Sequence, residues 1–226
     1  MKLPDLAFLF EDNHLLVVDK PAGLLSQADL GGDLDILTLA RAIIKERDAK
    51  PGNVYLGLVH RLDRPVAGVM VLGKTSKAAG RLSRQFRERA ARKIYLAVVR
   101  GVPDPPAADL AHRLLRERER RITRVAAGGE DGREARLGYR VLESRGGRSL
   151  VEITLGTGLQ HQIRAQLAAI GHPIEGDRKY GAAEHLAGGP GAIALFAREL
   201  GFEHPVQRSP LTVTAPPPPH FPWVLC

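Results

Sequence analysis

Short apolar runs, separated by turn-forming residues and interspersed with single amphipathic helices, predict an α+β fold: a mixed, largely antiparallel central β-sheet with flanking helices and a catalytic cleft. Two observations carry this expectation. Runs such as 14–18 and 68–73 are apolar at nearly every position, the pattern of strands covered on both faces. Between such runs the apolar residues shift to helical spacing, one helix at a time, and no internal repeat is visible. At 226 residues the chain is long enough to bury one sizeable core, so a single domain over residues 1–226 is expected.

Each element has its own signal. Phe8-Leu9-Phe10, an acidic turn and His14 to Val18 read as a strand, a turn and a buried strand, which ends in the loop Lys20-Pro21-Ala22-Gly23. Asp35 is placed to cap a helix carrying Ile36, Leu39, Ala40 and Ile43 at helical spacing and running to about Glu46. Pro51-Gly52-Asn53 breaks the chain, Val54 to Val59 reads as a strand, and Gly68 to Gly73 as another. Ser76 is the expected cap of a helix with Ala79, Leu82, Phe86 and Ala90 on one face and arginines on the others. Ile94 to Arg100, Leu137 to Leu142 and Ser149 to Leu155 have strand composition, and Gln162 to Ile170 has a helical pattern. Pro103 to Ala108 reads as a surface linker, Gly188 to Gly191 as a loop and Pro216 to Pro219 as an extended tail.

Composition narrows the class. No apolar run approaches the roughly 18 residues of a membrane span, and the N-terminus turns acidic too early for a secretory signal, so a soluble, cytoplasmic protein is expected. The single cysteine, Cys226, excludes a disulfide framework or a cysteine-cluster metal site, and the histidines show no paired metal spacing. Neither metal nor other cofactor is expected. Lys and Arg outnumber Asp and Glu by 33 to 25, and the excess is clustered. Arg81, Arg84, Arg87, Arg89, Arg92 and Lys93 face Glu88 alone within 81–93, and 112–124 is again arginine-rich, a distribution suited to a polyanion or to a solvated face.

Asp63 is the candidate catalytic carboxylate. It lies in a short segment between two apolar strands, flanked by Arg61 and Arg64 and followed by Pro65 and Gly68. Loops held by rigid strands commonly present catalytic groups, although an Asp beside two arginines also suits a structural salt bridge. Gly68 and Gly73-Lys74-Thr75 match the spacing of a phosphate-binding loop, but the four residues between the glycines are apolar and strand-like, so nucleotide hydrolysis is not expected.

His60-Arg61-Leu62-Asp63-Arg64-Pro65-Val66-Ala67-Gly68 resembles the signature of the RluA-type family of RNA pseudouridine synthases. Further matches follow in that family's order: Glu11 to Val18 with Lys20 to Gly23, then Lys93-Ile94-Tyr95-Leu96-Ala97 with Gly101. Thr157 to Arg164, Gly171-His172-Pro173-Ile174 with Gly176-Asp177 and Tyr180-Gly181, and Leu200-Gly201-Phe202 with His204-Pro205 complete the series. The resemblance implies the pseudouridine synthase fold, isomerisation of chosen uridines in ribosomal or transfer RNA, and no cofactor. It also implies a single catalytic domain without a separate N-terminal RNA-binding domain, acting as a monomer with RNA as its partner. By the same resemblance Asp63 is the catalytic carboxylate, Tyr95 stacks on the target base and is a candidate acceptor of the carbon 5 proton, and Arg164 pairs with the aspartate. Arg61 fills the gap left by the extruded nucleotide. Lys20, His60 and Arg64 support the loop or touch phosphates, and Arg84, Arg87 and Lys93 complete the RNA-binding set. Leu159, Gln166 and Phe196 depart from the family's usual arginine and histidines, which bears on RNA contacts more than on the reaction. The alternative is an RNA-binding or RNA-folding protein that keeps the scaffold with little catalysis.

Overall fold

The computed structural model describes residues 6–29, 31–49, 51–183, 186, 192–218 and 223. The expected loop at 188–191 and Cys226 lie outside these. In chain order the elements are β1 (Ala7–Glu11), β2 (Leu15–Lys20), α1 (Ile36–Arg47), β3 (Gly57–Leu58), β4 (Ala67–Gly73), α2 (Ser76–Arg87), β5 (Arg92–Arg100), β6 (Ala107–Glu117), β7 (Ile122–Val125), β8 (Arg133–Arg145), β9 (Arg148–Leu155), α3 (Gln162–Ala169), a 3-10 turn at Arg178–Tyr180, β10 (Leu195–Glu203) and β11 (Pro210–Thr214). The strands pair mostly antiparallel and alternate with three α-helices, the predicted α+β class. The chain divides into two compact units, residues 1–91 with 199–215 and residues 92–198 with 216–226.

In the first unit β2 pairs antiparallel with β1 on one edge and with β4 on the other. Leu15 to Val18 and Val69 to Leu72 are buried on both faces, which is why these segments read as unbroken apolar runs. Helix α1 begins where predicted: the Asp35 carboxylate accepts from the amides of Leu37 at 2.9 Å and Thr38 at 3.3 Å. Ile36, Leu39, Ala40 and Ile44 form its buried stripe, with Ile44 in the place expected of Ile43, which is only partly buried. In α2 the cap is Thr75 rather than Ser76, because Thr75 keeps extended backbone and accepts from the Ala78 amide at 3.1 Å while Ser76 is already helical. The helix ends at Arg87, so Ala90 lies beyond its apolar face. Gly73 explains how closely α2 approaches β4: a Cβ there would stand 2.7 Å from the Ala79 amide nitrogen. The predicted strand Val54–Val59 shrinks to β3, whose two residues pair with Gly73 and Leu72. Arg41 Nη2 takes the Leu56 carbonyl at 2.8 Å, satisfying by side chain a group that a longer ladder would have used.

In the second unit the order β5-β9-β8-β6-β7 is antiparallel throughout. Strands β6 and β7 were not expected. In β6 the residues Ala108, Leu110, His112 and Leu114 turn inward while Asp109, Ala111 and Arg113 face out, an alternation hidden beneath the arginine content. Strand β8 extends well beyond 137–142, with a register shift between Val141 and Glu143 that leaves Leu142 exposed. Leu114, Ala135 and Ala165 form a small core where α3 meets β6, packed with Val125, Leu159 and Tyr180.

Candidate active site

The segment carrying Asp63 has no regular structure of its own and is fastened on both sides. Ser26, buried, donates its hydroxyl to the Leu62 carbonyl at 2.6 Å and accepts from the Leu62 amide at 3.1 Å, so one side chain satisfies both backbone groups of the residue before Asp63. On the other flank the Gly23 amide donates to the Arg64 carbonyl at 2.8 Å, and Arg64 Nε donates to the Gly23 carbonyl at 3.0 Å. The Asp63 carbonyl accepts from the Val66 amide at 3.0 Å, closing a turn. Asp63 itself is half-buried at the bend.

Lys20 lies beneath this segment, fully buried. Its ammonium donates to the carbonyls of Leu24 at 2.8 Å, Pro21 at 3.0 Å and Arg64 at 3.4 Å. Burial pulls its pKa down to about 8, against the opposing attraction of Asp63 and then of Asp19. Fully buried, Lys20 presents no surface to a phosphate, and its contacts are to the loop carbonyls. His60 is similarly occupied: its Nε2 accepts from the Val71 amide at 3.0 Å, which places its proton on Nδ1, and its ring stacks on Phe86 at 4.4 Å. Arg64 pairs with Asp33 at 2.8 Å on the surface. Arg61, Arg84 and Arg87 are exposed, where a polyanion can reach them.

In the second unit Tyr95 stands on β5 opposite Ile153 and is half-buried, sharing a face with Lys93 two residues earlier. Arg164 is buried on α3. Its Nε and Nη2 donate to the two carboxylate oxygens of Asp177 at 2.6 and 2.8 Å, a bidentate pair, and its guanidinium lies 4.8 Å from the centre of the Tyr180 ring. The Tyr180 oxygen accepts from the Thr123 amide and bonds His161 Nδ1, each at 2.8 Å, which fixes the ring beneath the arginine. The turn that begins α3 bonds to itself: Gln162 Oε1 accepts from Thr157 Oγ1 at 2.7 Å and from the Leu159 amide at 3.0 Å. Asp177 and Tyr180 as partners of Arg164, and Ser26 as the clamp on Leu62, are functional neighbours the sequence reading missed. The first two stood within the quoted motifs without a role. Ser26 had no signal at all.

Among the described residues no three His, Cys, Asp or Glu side chains cluster as metal ligands would, and no helix is long and apolar enough to cross a membrane.

Compared with known families, residues 14–169 match the model described as RNA pseudouridylate synthase. The chain belongs to that family. Pseudouridine synthases of two kinds are among its relatives. It is 35% identical over 224 residues to ribosomal large subunit pseudouridine synthase D of Xylella fastidiosa, covering 94% of this chain and 66% of that protein. It is 36% identical to the synthase of the same name from Nitrosomonas europaea, covering 88% and 58%. With ribosomal large subunit pseudouridine synthase C of Vibrio vulnificus it shares 32% identity, covering 95% and 66%. The chain thus spans about three-fifths to two-thirds of the length of these pseudouridine synthases. Among solved structures, human RNA pseudouridylate synthase domain containing 4 superposes with a TM-score of 0.77 at 27% identity, covering 94% of this chain and 88% of that one. The corresponding human protein numbered 1 gives 0.78 at 25%, covering 96% and 86%. The pseudouridine synthase fold expected from the resemblance is therefore the fold observed.

Proposed function

We propose that the chain isomerises uridine to pseudouridine in ribosomal RNA, with Asp63 as the carboxylate at the reacting sugar. The observation that carries this reading is the family match across 14–169, which includes Asp63, Tyr95 and Arg164. Ribosomal RNA is favoured over transfer RNA by the names of the relatives, which are ribosomal large subunit synthases.

In the reaction the bond from the sugar carbon to uracil nitrogen 1 breaks, the base turns, and carbon 5 bonds to the sugar. Carbon 5 loses a proton and nitrogen 1 gains one, so the product is an isomer and no electrons are exchanged with a cofactor. A carboxylate serves such a step as nucleophile or as stabiliser of the developing sugar cation, the same choice glycosidases face. The fastened loop supports that role for Asp63, because a group held on both flanks loses little freedom when substrate arrives. For Tyr95 and Arg164 the support is the motif match: the tyrosine is proposed to stack on uracil and take part in proton removal, and the arginine to supply the positive charge the carboxylate works with. Arg61 is proposed to replace the extruded base, whose unstacking costs roughly a few kcal/mol. A planar cation suits that place.

Asp63→Asn is the deciding variant. It should abolish pseudouridine formation in bulk ribosomal RNA while RNA affinity stays within about tenfold, since phosphate contacts supply most binding. Clear residual turnover would remove Asp63 from the chemistry. Isomerisation by the parent chain of transfer RNA alone would move the substrate class, and tight RNA binding with no isomerisation of either RNA would leave an RNA-binding protein on this scaffold.

A further inference from the structure

Three arginines stand in a row across neighbouring strands of the second unit. The β5–β9 register sets Arg100 opposite Arg148, and the β8–β9 register sets Arg145 opposite the same Arg148. Opposite residues of an antiparallel ladder share a face, with Cβ atoms about 4.5–5.5 Å apart, and like charges placed this way repel. Arg148 is not left to them alone: its Nε lies 3.4 Å from the Glu175 carboxylate. Among the described residues Arg100 and Arg145, both exposed, have no ion-pair partner.

The row borders a cavity of about 200 Å³ lined by Arg100, Gly146, Gly147, Arg148 and Glu175. The two glycines turn the β8–β9 hairpin with φ of 59° and 72°. That left-handed backbone favours glycine, and no atom lies within 4 Å of where a Cβ would stand at either position, so the space beside the row stays open. At about 30 Å³ per water, the cavity has room for a phosphate group. Within its unit it lies apart from Tyr95. Arg100 follows Tyr95 by five residues on β5, roughly 17 Å at about 3.3 Å per residue, and the odd spacing turns the two side chains to opposite faces of the strand.

We infer that this row is a second RNA contact, taking backbone phosphates outside the target nucleotide. The inference rests on the proposal that the substrate is RNA. Guanidinium groups are weakly hydrated and match phosphate oxygens two at a time, so an anion relieves the repulsion and uses the donors together. Two strand spacings give the row a width of roughly 10 Å, and a nucleic acid strand advances about 3.4 Å per nucleotide. Two or three consecutive phosphates therefore come within reach, with no base read.

The test compares the parent chain with Arg100→Gln/Arg145→Gln on two substrates, a minimal stem-loop around a target uridine and a long ribosomal RNA fragment containing it. On the fragment the double variant should bind on the order of tenfold more weakly near physiological salt, and its log–log salt slope should be shallower by about 1 to 2. Affinity for the stem-loop and single-turnover isomerisation of it should match the parent. Thermal stability without RNA should be equal or higher, because a like-charge contact is removed. Equal fragment affinity and slope would overturn the inference. So would a fall in stability, which would make the arginines structural, and so would protection by inorganic phosphate that is lost in the variant while RNA binding is unchanged. Fragment binding is read independently of turnover, so a parent chain that binds but does not isomerise would sink the proposed function and leave this contact standing.

Discussion

Arg164 and Asp177 form a buried ion pair in which each guanidinium donation has its own carboxylate oxygen. Such a pair adds little over an apolar substitute of the same shape, but removing one partner leaves the other's buried charge less compensated. Asp177→Asn should therefore lose on the order of 3–5 kcal/mol of stability, measured by urea unfolding, and isomerisation should fall with it. A variant as stable as its parent would show that the carboxylate's charge is not needed to hold the arginine. Lys20 gives a residue-scale prediction in pH. Burial takes it from 10.5 to about 8. Between those values the unfolded chain keeps a proton the folded chain has released, so Lys20 makes stability rise with pH across that window, and its burial penalty is felt in full below about 8. Unfolding curves collected from pH 7.5 to 10 should show this rise in the parent and its loss in Lys20→Met. Parallel profiles for the two proteins would exclude it.

At the scale of the element, the loop between β3 and β4 closes one turn of its own, from Val66 to Asp63, and is otherwise fastened to a neighbouring loop. Ser26 is the tightest point of that attachment. Ser26→Ala leaves the amide and carbonyl of Leu62 without their partner, at a cost of about 1–3 kcal/mol, and frees the backbone next to Asp63. Turnover should fall more than RNA affinity, because displacement of a reacting group costs rate rather than phosphate contacts. Asp35→Ala is the matched comparison: it removes the cap of α1 at about 1 kcal/mol and should leave turnover of the folded enzyme unchanged. Equal turnover in both variants would show that the Ser26 attachment does not position the carboxylate.

For the molecule as a whole, a formal net charge of +8 provides a field that attracts RNA of any sequence. Individual residues differ in what they add to it. Arg84 and Arg87 are exposed near the end of α2. Replacing either by alanine should weaken all RNA substrates about equally and reduce the salt slope by about 1. Arg61→Ala should instead damage activity on a structured stem-loop more than on a flexible single strand, where little stacking is lost on extrusion. Matched measurements at one salt concentration decide it, and equal losses on both substrates would leave Arg61 as one more phosphate contact.

The sequence by itself determined the elements whose signals are local. The apolar runs of β2 and β4, the Asp35 cap of α1 and the motif around Asp63 are each written within a few consecutive residues. Where a signal depends on a distant partner, the sequence was silent or incomplete. Strand β6 looked like an arginine-rich stretch until β8 and β7 paired with it, and β3 is only two residues long, with Arg41 from α1 taking the carbonyl of Leu56 just before it. For Lys20 and His60 the motif left loop support and phosphate contact both open, and the partners themselves were not legible, since only folding brings the Arg64 carbonyl to the one and the Val71 amide to the other. The partnership of Arg164 with Asp177 and Tyr180 was decided the same way. Burying a guanidinium demands a countercharge, and which carboxylate meets it is set by the path of the chain after α3, something no spacing rule in the motif contains.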